Sequence, residues 1–282
     1  MVAKSEVMPD SHISGGDSTR KTHWIGVSLA LLLVVLGLYL HGSPLNQAWL
    51  IWGHRNSWLP DQFWLFVTQW GDSAQALVLL LALFLLRPVQ LAWALKTWLM
   101  GMVASPLLKV AWDAPRPLSV LDPQVLNAIG HTPMGGHSMP SGHSLAAGSM
   151  AALLFFALQP DRLLWRSGAV LLGVLIAVSR LAVGAHWPAD VLVGLGLGLF
   201  FVRVAQFWEQ VQPWSAHLAS ARAQSLLAVL MLVLVYAVWH LPSEGWGMTS
   251  ARLMVSAAAL LSLIWLFNAK RRLRMNAGSW HD

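Results

Sequence analysis

The sequence predicts an all-α fold, a polytopic membrane helical bundle, and three observations lead there. Hydrophobic residues make up 56% of the 282 and charged residues 11%, where soluble domains average about 25% charged. The apolar residues gather into eight runs, at 24–40, 71–86, 88–108, 143–159, 164–182, 188–207, 224–240 and 252–269. Most approach the roughly 20 residues that a helix needs to cross a bilayer. The cations, finally, collect on one side of the threaded chain, twelve against five.

Taken in order, the first 23 residues are polar and mixed in charge (Lys4, Glu6, Asp10, Asp17, Arg20, Lys21) and are expected to form a disordered cytoplasmic tail. The run from Trp24 to Leu40 is longer than the apolar core of a signal peptide and lacks a small-residue cleavage site, so it is expected to be a first span. The run 71–86 is short, and "QFWLFVTQWGD" before it suits an interfacial helix leading in. No soluble domain of any size fits between the spans. The two longer connections are 41–70 and 109–142, the second carrying "APRP" and "GHTPMGGHS".

With the N-terminus in the cytoplasm, eight spans place twelve cations inside: Lys4, Arg20, Lys21, Arg87, Arg162, Arg166, Arg203, Arg222, Lys270, Arg271, Arg272 and Arg274. Five lie outside: Arg55, Lys109, Arg116, Arg180 and Arg252. The positive-inside rule selects this orientation, and both termini are then cytoplasmic. Lys96, within the third run, is expected to snorkel inward. Many of the seventeen tryptophans, Trp24, Trp70, Trp112 and Trp187 among them, fall near span ends as an aromatic belt would.

Composition excludes some functions. With no cysteine there are no disulfides, no thiolate chemistry and no Cys-based zinc site. The net charge of +6 lies in short clusters between apolar runs and not on a basic face interleaved with aromatics, so nucleic-acid binding is not expected. "GLGLGLF" at 194–200 follows no strand; Gly194 and Gly198 there are expected to let helices pack closely.

Ionisable residues at membrane segments are costly, which by default marks a functional site. Three segments bring theirs to the outer face: "KVAWDAPRP" (Lys109, Arg116), "PSGH" (Ser141, Gly142, His143) and "SRLAVGAHWPAD" (Ser179, Arg180, His186, Asp190). Three cations, two imidazoles and a carboxylate suit an anion site with acid–base chemistry. Ser141 reads as the N-cap of the fourth span, whose free first-turn amides and dipole favour phosphate. Gly142 allows close backbone approach. Pro188 suits the first turn of the sixth span. Asp190 is then placed to orient His186 through one ring nitrogen and leave the other free as a nucleophile. His131 and His137, in the same loop, are lesser candidates for substrate contact. Asp113 and Asp122 lack a regular ligand spacing with these histidines, so neither a metal nor a cofactor is expected.

The order Lys109-x6-Arg116-Pro117, then Pro140-Ser141-Gly142-His143, then Ser179-Arg180-x5-His186-x3-Asp190 resembles the type 2 phosphatidic acid phosphatase (PAP2) superfamily, in its membrane branch of lipid phosphate phosphatases. All three motifs match without a departure. The resemblance implies a six-helix PAP2-like core at 24–207, leaving 208–282 as two additional C-terminal spans with a basic cytoplasmic tail. It also implies a metal-free mechanism. His186 attacks phosphorus to form a phosphohistidine, Asp190 orients it, and His143 protonates the leaving oxygen and then activates water. Lys109, Arg116, Arg180, Ser141 and the Gly142 amide hold the phosphoryl oxygens.

The expected function is therefore an integral-membrane lipid phosphatase of the inner (plasma) membrane, with its active site at the periplasmic or outer face. Its substrate is expected to be a membrane lipid phosphate: undecaprenyl pyrophosphate is favoured, with phosphatidylglycerophosphate, phosphatidic acid and lipid A 1-phosphate as competitors. A lipid phosphotransferase would use the same residues. An anion or lipid transporter is the alternative from another class; it predicts polar residues through the depth of several spans, whereas spans four to eight are almost bare at mid-depth.

Overall fold

A computed structural model describes residues 14–130, 135–242 and 245–278. Among these, the chain forms twelve helices and one isolated antiparallel bridge, between Pro115 and His137. The helices are α1 (Ser14–His41), α2 (Pro44–Arg55), α3 (Asp61–Gln69), α4 (Ser73–Phe84), α5 (Pro88–Trp112), α6 (Pro117–Val120), α7 (Gly142–Ala157), α8 (Leu163–Ala182), α9 (Pro188–Val211), α10 (Ser215–Leu218), α11 (Ala221–His240) and α12 (Gly245–Gly278).

Local chemistry explains where they start. Ser43, Asp72, Ser141 and Ser220 each accept a first-turn amide proton as side-chain N-caps of α2, α4, α7 and α11. Proline opens α2, α5, α6 and α9, where its missing N–H costs nothing.

Large apolar side chains cover the outside of the bundle, among them Leu31, Leu32 and Val35 of α1, Leu226 and Val233 of α11, and Leu260 and Leu261 of α12. Water would not tolerate such a continuous apolar exterior, and hydrocarbon does. The chain is a membrane protein. Among the described residues, six helices are long and apolar enough to cross a bilayer: α1 from Trp24 on, α5, α8, α9, α11 and α12.

The other two expected spans take different forms. The run 71–86 becomes the 12-residue α4, which follows α3 at a bend of 59°, so together they make one broken element of span length. The stretch expected as an interfacial lead-in is thus joined to the span. The run 143–159 becomes α7, only 16 residues long and packed against α5, α8 and α9. An apolar run reports burial in protein as well as in lipid, and α7 is mostly covered by its neighbours as it runs from one end of the bundle towards the other. Similarly, α1 is already helical from Ser14, inside the stretch expected to be disordered, because a helix's backbone hydrogen bonds need no apolar side chain. Residues 1–13 lie outside the described residues.

Helix α9 is central, packing on α1, α5 and α7. Glycine permits the approach, as expected: a Cβ on Gly194 would sit 2.6 Å from the Ser141 carbonyl oxygen, and Gly198 faces the Leu145 carbonyl and the Ser149 amide of α7. At the other end of the bundle, Lys96 does not snorkel to water. It is fully buried, and its Nζ donates to Glu209 Oε2 at 2.6 Å and to the Gln212 carbonyl at 2.7 Å. The indoles of Trp208 and Trp214 cover it at about 5 Å.

Candidate active site

Four helix ends meet at one end of the bundle: the C-termini of α5 and α8 and the N-termini of α7 and α9. Short bonds tie them together. The Ser141 amide donates to the Asp190 carbonyl at 3.1 Å, joining α7 to α9. Lys109, in the last turn of α5, donates to the carbonyls of His137 and Ser138 at 3.1 and 3.3 Å. The Ser138 amide donates to the Ala114 carbonyl at 2.8 Å, next to the Pro115–His137 bridge. This strap closes the 109–142 connection over the site. His54 and Asn46, on α2, support it from the side: His54 Nδ1 meets the Ala182 carbonyl at 2.8 Å, and Asn46 Oδ1 accepts from the Ala189 amide at 3.0 Å.

At the centre, His186 Nδ1 lies 3.1 Å from Asp190 Oδ2, with both side chains buried. Asp190 is in the first turn of α9 and also accepts the Trp187 amide at 3.0 Å, half of a capping box. Ser138 Oγ donates to the same oxygen and lies 3.3 Å from His186 Nδ1. Three donors therefore converge on Oδ2, while Oδ1 is buried without a partner. A carboxylate facing Nδ1 keeps the proton on that nitrogen, so Nε2 presents its lone pair.

The cations surround this pair. Arg116, the N-cap residue of α6, donates from Nη1 to the Ala185 carbonyl at 3.4 Å, while its Nε is buried and unpaired. Arg180, in the last turn of α8, donates from Nη1 to Thr68 Oγ1, and its Nε is likewise buried and unpaired. Unpaired guanidinium N–H groups on two arginines are donors available to an anion. Burial, reinforced by the charges of Arg180, Arg116 and Lys109, holds His186 well below the usual histidine pKa. Burial also lowers Arg116, against the opposing pull of Asp190.

His143 and Gly142 open α7, both half-buried. Ser141 Oγ accepts the Ser144 amide at 3.3 Å and the Ser144 hydroxyl at 3.0 Å. The Gly142 and His143 amides belong to the first turn, which has no intrahelical acceptor. His143 is in electrostatic reach of Arg180, His186, Arg116 and Lys109. Ser179 turns away, donating to the Ile176 carbonyl at 2.6 Å.

All eight residues singled out for catalysis or phosphate binding thus gather at one end of the bundle. His137 is instead paired with Asp113, Nδ1 to Oδ1 at 2.8 Å, at the mouth of the strap. His131 lies outside the described residues. Among the described residues, no group of three or more His, Asp or Glu side chains could hold a metal ion.

Three further residues touch the site without having been legible as part of it. Thr68 holds Arg180. Gly71 lies against His143, where an added Cβ would be 3.0 Å from the His143 Cβ. Ser138 holds Asp190. The sequence signal for Ser138 was only its place in "HSMPSGH", and for Thr68 and Gly71 a polar break between apolar runs.

Residues 90–214 match the model of the PAP2 superfamily. No curated protein matches the chain. Among solved structures, the crystal structure of a transmembrane PAP2-type phosphatidylglycerolphosphate phosphatase from Bacillus subtilis is similar at 20% identity, covering 67% of this chain and 98% of that chain, with a TM-score of 0.48.

Proposed function

We propose that this chain, whose residues 90–214 match the PAP2 superfamily model, is an integral-membrane lipid phosphatase working through a phosphohistidine. The observation that carries the reading is the buried His186–Asp190 pair, joined through Nδ1 at 3.1 Å, with the charges of Arg180, Arg116 and Lys109 acting on His186. A neutral imidazole held in one tautomer is a nucleophile, and three cations offer a seat for phosphoryl oxygens. Phosphoryl transfer depends mostly on positioning and charge stabilisation.

In the first step, His186 Nε2 forms a bond to phosphorus as the bond from phosphorus to the leaving oxygen breaks. His143 gives that oxygen a proton, and Asp190 stabilises the imidazolium. In the second step, water attacks the phosphohistidine and passes a proton to His143. The nitrogen–phosphorus bond breaks, releasing phosphate. Lys109, Arg116, Arg180, Ser141 and the Gly142 amide hold the phosphoryl oxygens throughout.

A site at one end of an apolar bundle suits a lipid whose tails stay in the bilayer. The substrate we favour is undecaprenyl pyrophosphate, with phosphatidylglycerophosphate, phosphatidic acid and lipid A 1-phosphate as competitors. The cation distribution supports an inner-membrane protein with cytoplasmic termini and an outward-facing site. On this reading 24–207 is the catalytic core and 208–282 an appended pair of spans. The test is phosphate release from those four lipids by detergent-purified protein with chelator present. Release by the wild type, abolished in His186→Ala, is the expected result; a wild type inert on all four, or an active variant, would overturn the reading.

A further inference from the structure

Thr68 accepts from Arg180, so it sets which way the remaining guanidinium N–H groups of Arg180 face. Thr68 sits on α3, a helix of nine residues whose N-cap, Pro60, offers no side-chain bond. So short a helix does not hold its own place, and its packing partners are α8 and α12.

The contact with α12 is specific. The Gly247 amide donates to Gln62 Oε1 at 3.0 Å. Gly247 also lies directly on α3, where an added Cβ would come within 3.1 Å of the Phe66 amide nitrogen. Arg252, one turn further along α12, is buried and donates from Nη1 to the Leu241 carbonyl at 3.0 Å and from Nη2 to the Pro242 carbonyl at 2.5 Å. It thereby ties the end of α11 to the start of α12, at the end of the bundle where the site lies. A buried arginine in a membrane helix is costly unless it has a task. Asp72, which caps α4 beyond the bend, acts electrostatically on both Arg180 and Arg252.

We infer that the C-terminal pair α11–α12 is a brace for the phosphate seat: through Arg252 and the Gly247–Gln62 contact it holds α3 so that Thr68 aims Arg180. Arg252, Gln62 and Thr68 are positioning residues. The inference rests on the reading of Arg180 as a phosphate ligand, and it assigns a role to two spans that lie outside the matched residues 90–214.

The test is a double-mutant cycle on the full chain in detergent, read as the dissociation constant of inorganic phosphate by calorimetry alongside thermal unfolding. Thr68→Val is expected to weaken phosphate about tenfold, the loss of one charge-assisted hydrogen bond, and Thr68→Ser to restore it. Arg252→Gln is expected to weaken phosphate several-fold, and the Arg252→Gln/Thr68→Val double variant no further than Thr68→Val alone. If Arg252→Gln does not fold, Gln62→Met replaces it in the same cycle. Variants that unfold earlier yet bind phosphate as the wild type does would overturn the inference, as would strictly additive losses. Because phosphate binding needs no turnover, a wild type that binds phosphate but hydrolyses no lipid would count against the hydrolase reading and leave the cycle decisive for the brace.

Discussion

The Ser138 hydroxyl and the His186 ring share one oxygen of Asp190, so the carboxylate is held by a residue of the strap as well as by its own helix. Asp190 belongs to α9 and Ser138 to the 109–142 connection, which Lys109 in turn clamps through two carbonyls. The orientation of the candidate nucleophile therefore depends on how the strap is seated.

Ser138→Ala removes one of three donors to that oxygen and leaves His186 with a less constrained partner. We expect kcat to fall about tenfold with KM little changed, and Ser138→Thr to recover most of it. Steady-state kinetics on whichever lipid the wild type hydrolyses checks this; an unchanged kcat would make Ser138 a packing residue only.

The pH dependence follows from the depressed His186. Burial first, then the charges of Arg180, Arg116 and Lys109, disfavour the imidazolium. A lowered pKa means that the neutral, nucleophilic form persists as pH falls through the usual histidine range and is lost only in more acid solution. The acid limb assigned to His186 should therefore lie below about 6.5. In Arg116→Gln one of the depressing charges is gone, so the limb of the residual activity should move to higher pH. A limb that stays in place or moves to lower pH would contradict the electrostatic account.

Much of the site was legible because its residues lie at fixed spacings on few elements. Ser141, Gly142 and His143 begin α7, and His186 to Asp190 span a helix start, so local chemistry alone orients them. Thr68 was not legible, because its contact with Arg180 crosses 112 positions and depends on the bend between α3 and α4. Lys96 was misread for the same reason: its partner Glu209 is 113 positions away, and nothing in the apolar run around it announces a buried carboxylate. Run length did not show that α7 is mostly covered by α5, α8 and α9, because an apolar run reports burial in protein as well as in lipid.

The close approach of α7 and α9 makes a stability prediction. Gly194→Ala drives a methyl group into the Ser141 carbonyl and should cost about 1–3 kcal/mol, displacing the helix start that presents His143. Gly168→Ala, on α8 with open space around it, should be neutral or stabilising by up to about 1 kcal/mol. Thermal unfolding in detergent compares the two, and equal effects would contradict the packing argument.

The Lys96–Glu209 pair gives another. Glu209 also accepts the Trp214 and Ser215 amides at 3.0 and 2.9 Å, fixing α10 beneath the bundle. Glu209→Ala strands a buried ammonium and should cost about 3–5 kcal/mol, while Lys96→Met/Glu209→Leu should recover a good part of that loss. Unfolding midpoints in which the double variant is worse than the single would refute the pairing.

The central claim is that His186 carries the phosphoryl group. The most direct measurement is a rapid quench of wild-type protein mixed with lipid substrate labelled in its terminal phosphate, followed by mapping of any labelled peptide. The account predicts an acid-labile, base-stable phosphoenzyme on His186 that forms and decays within a turnover and is missing in His186→Ala. Label on another residue, or full turnover with no phosphoenzyme at any quench time, would contradict it.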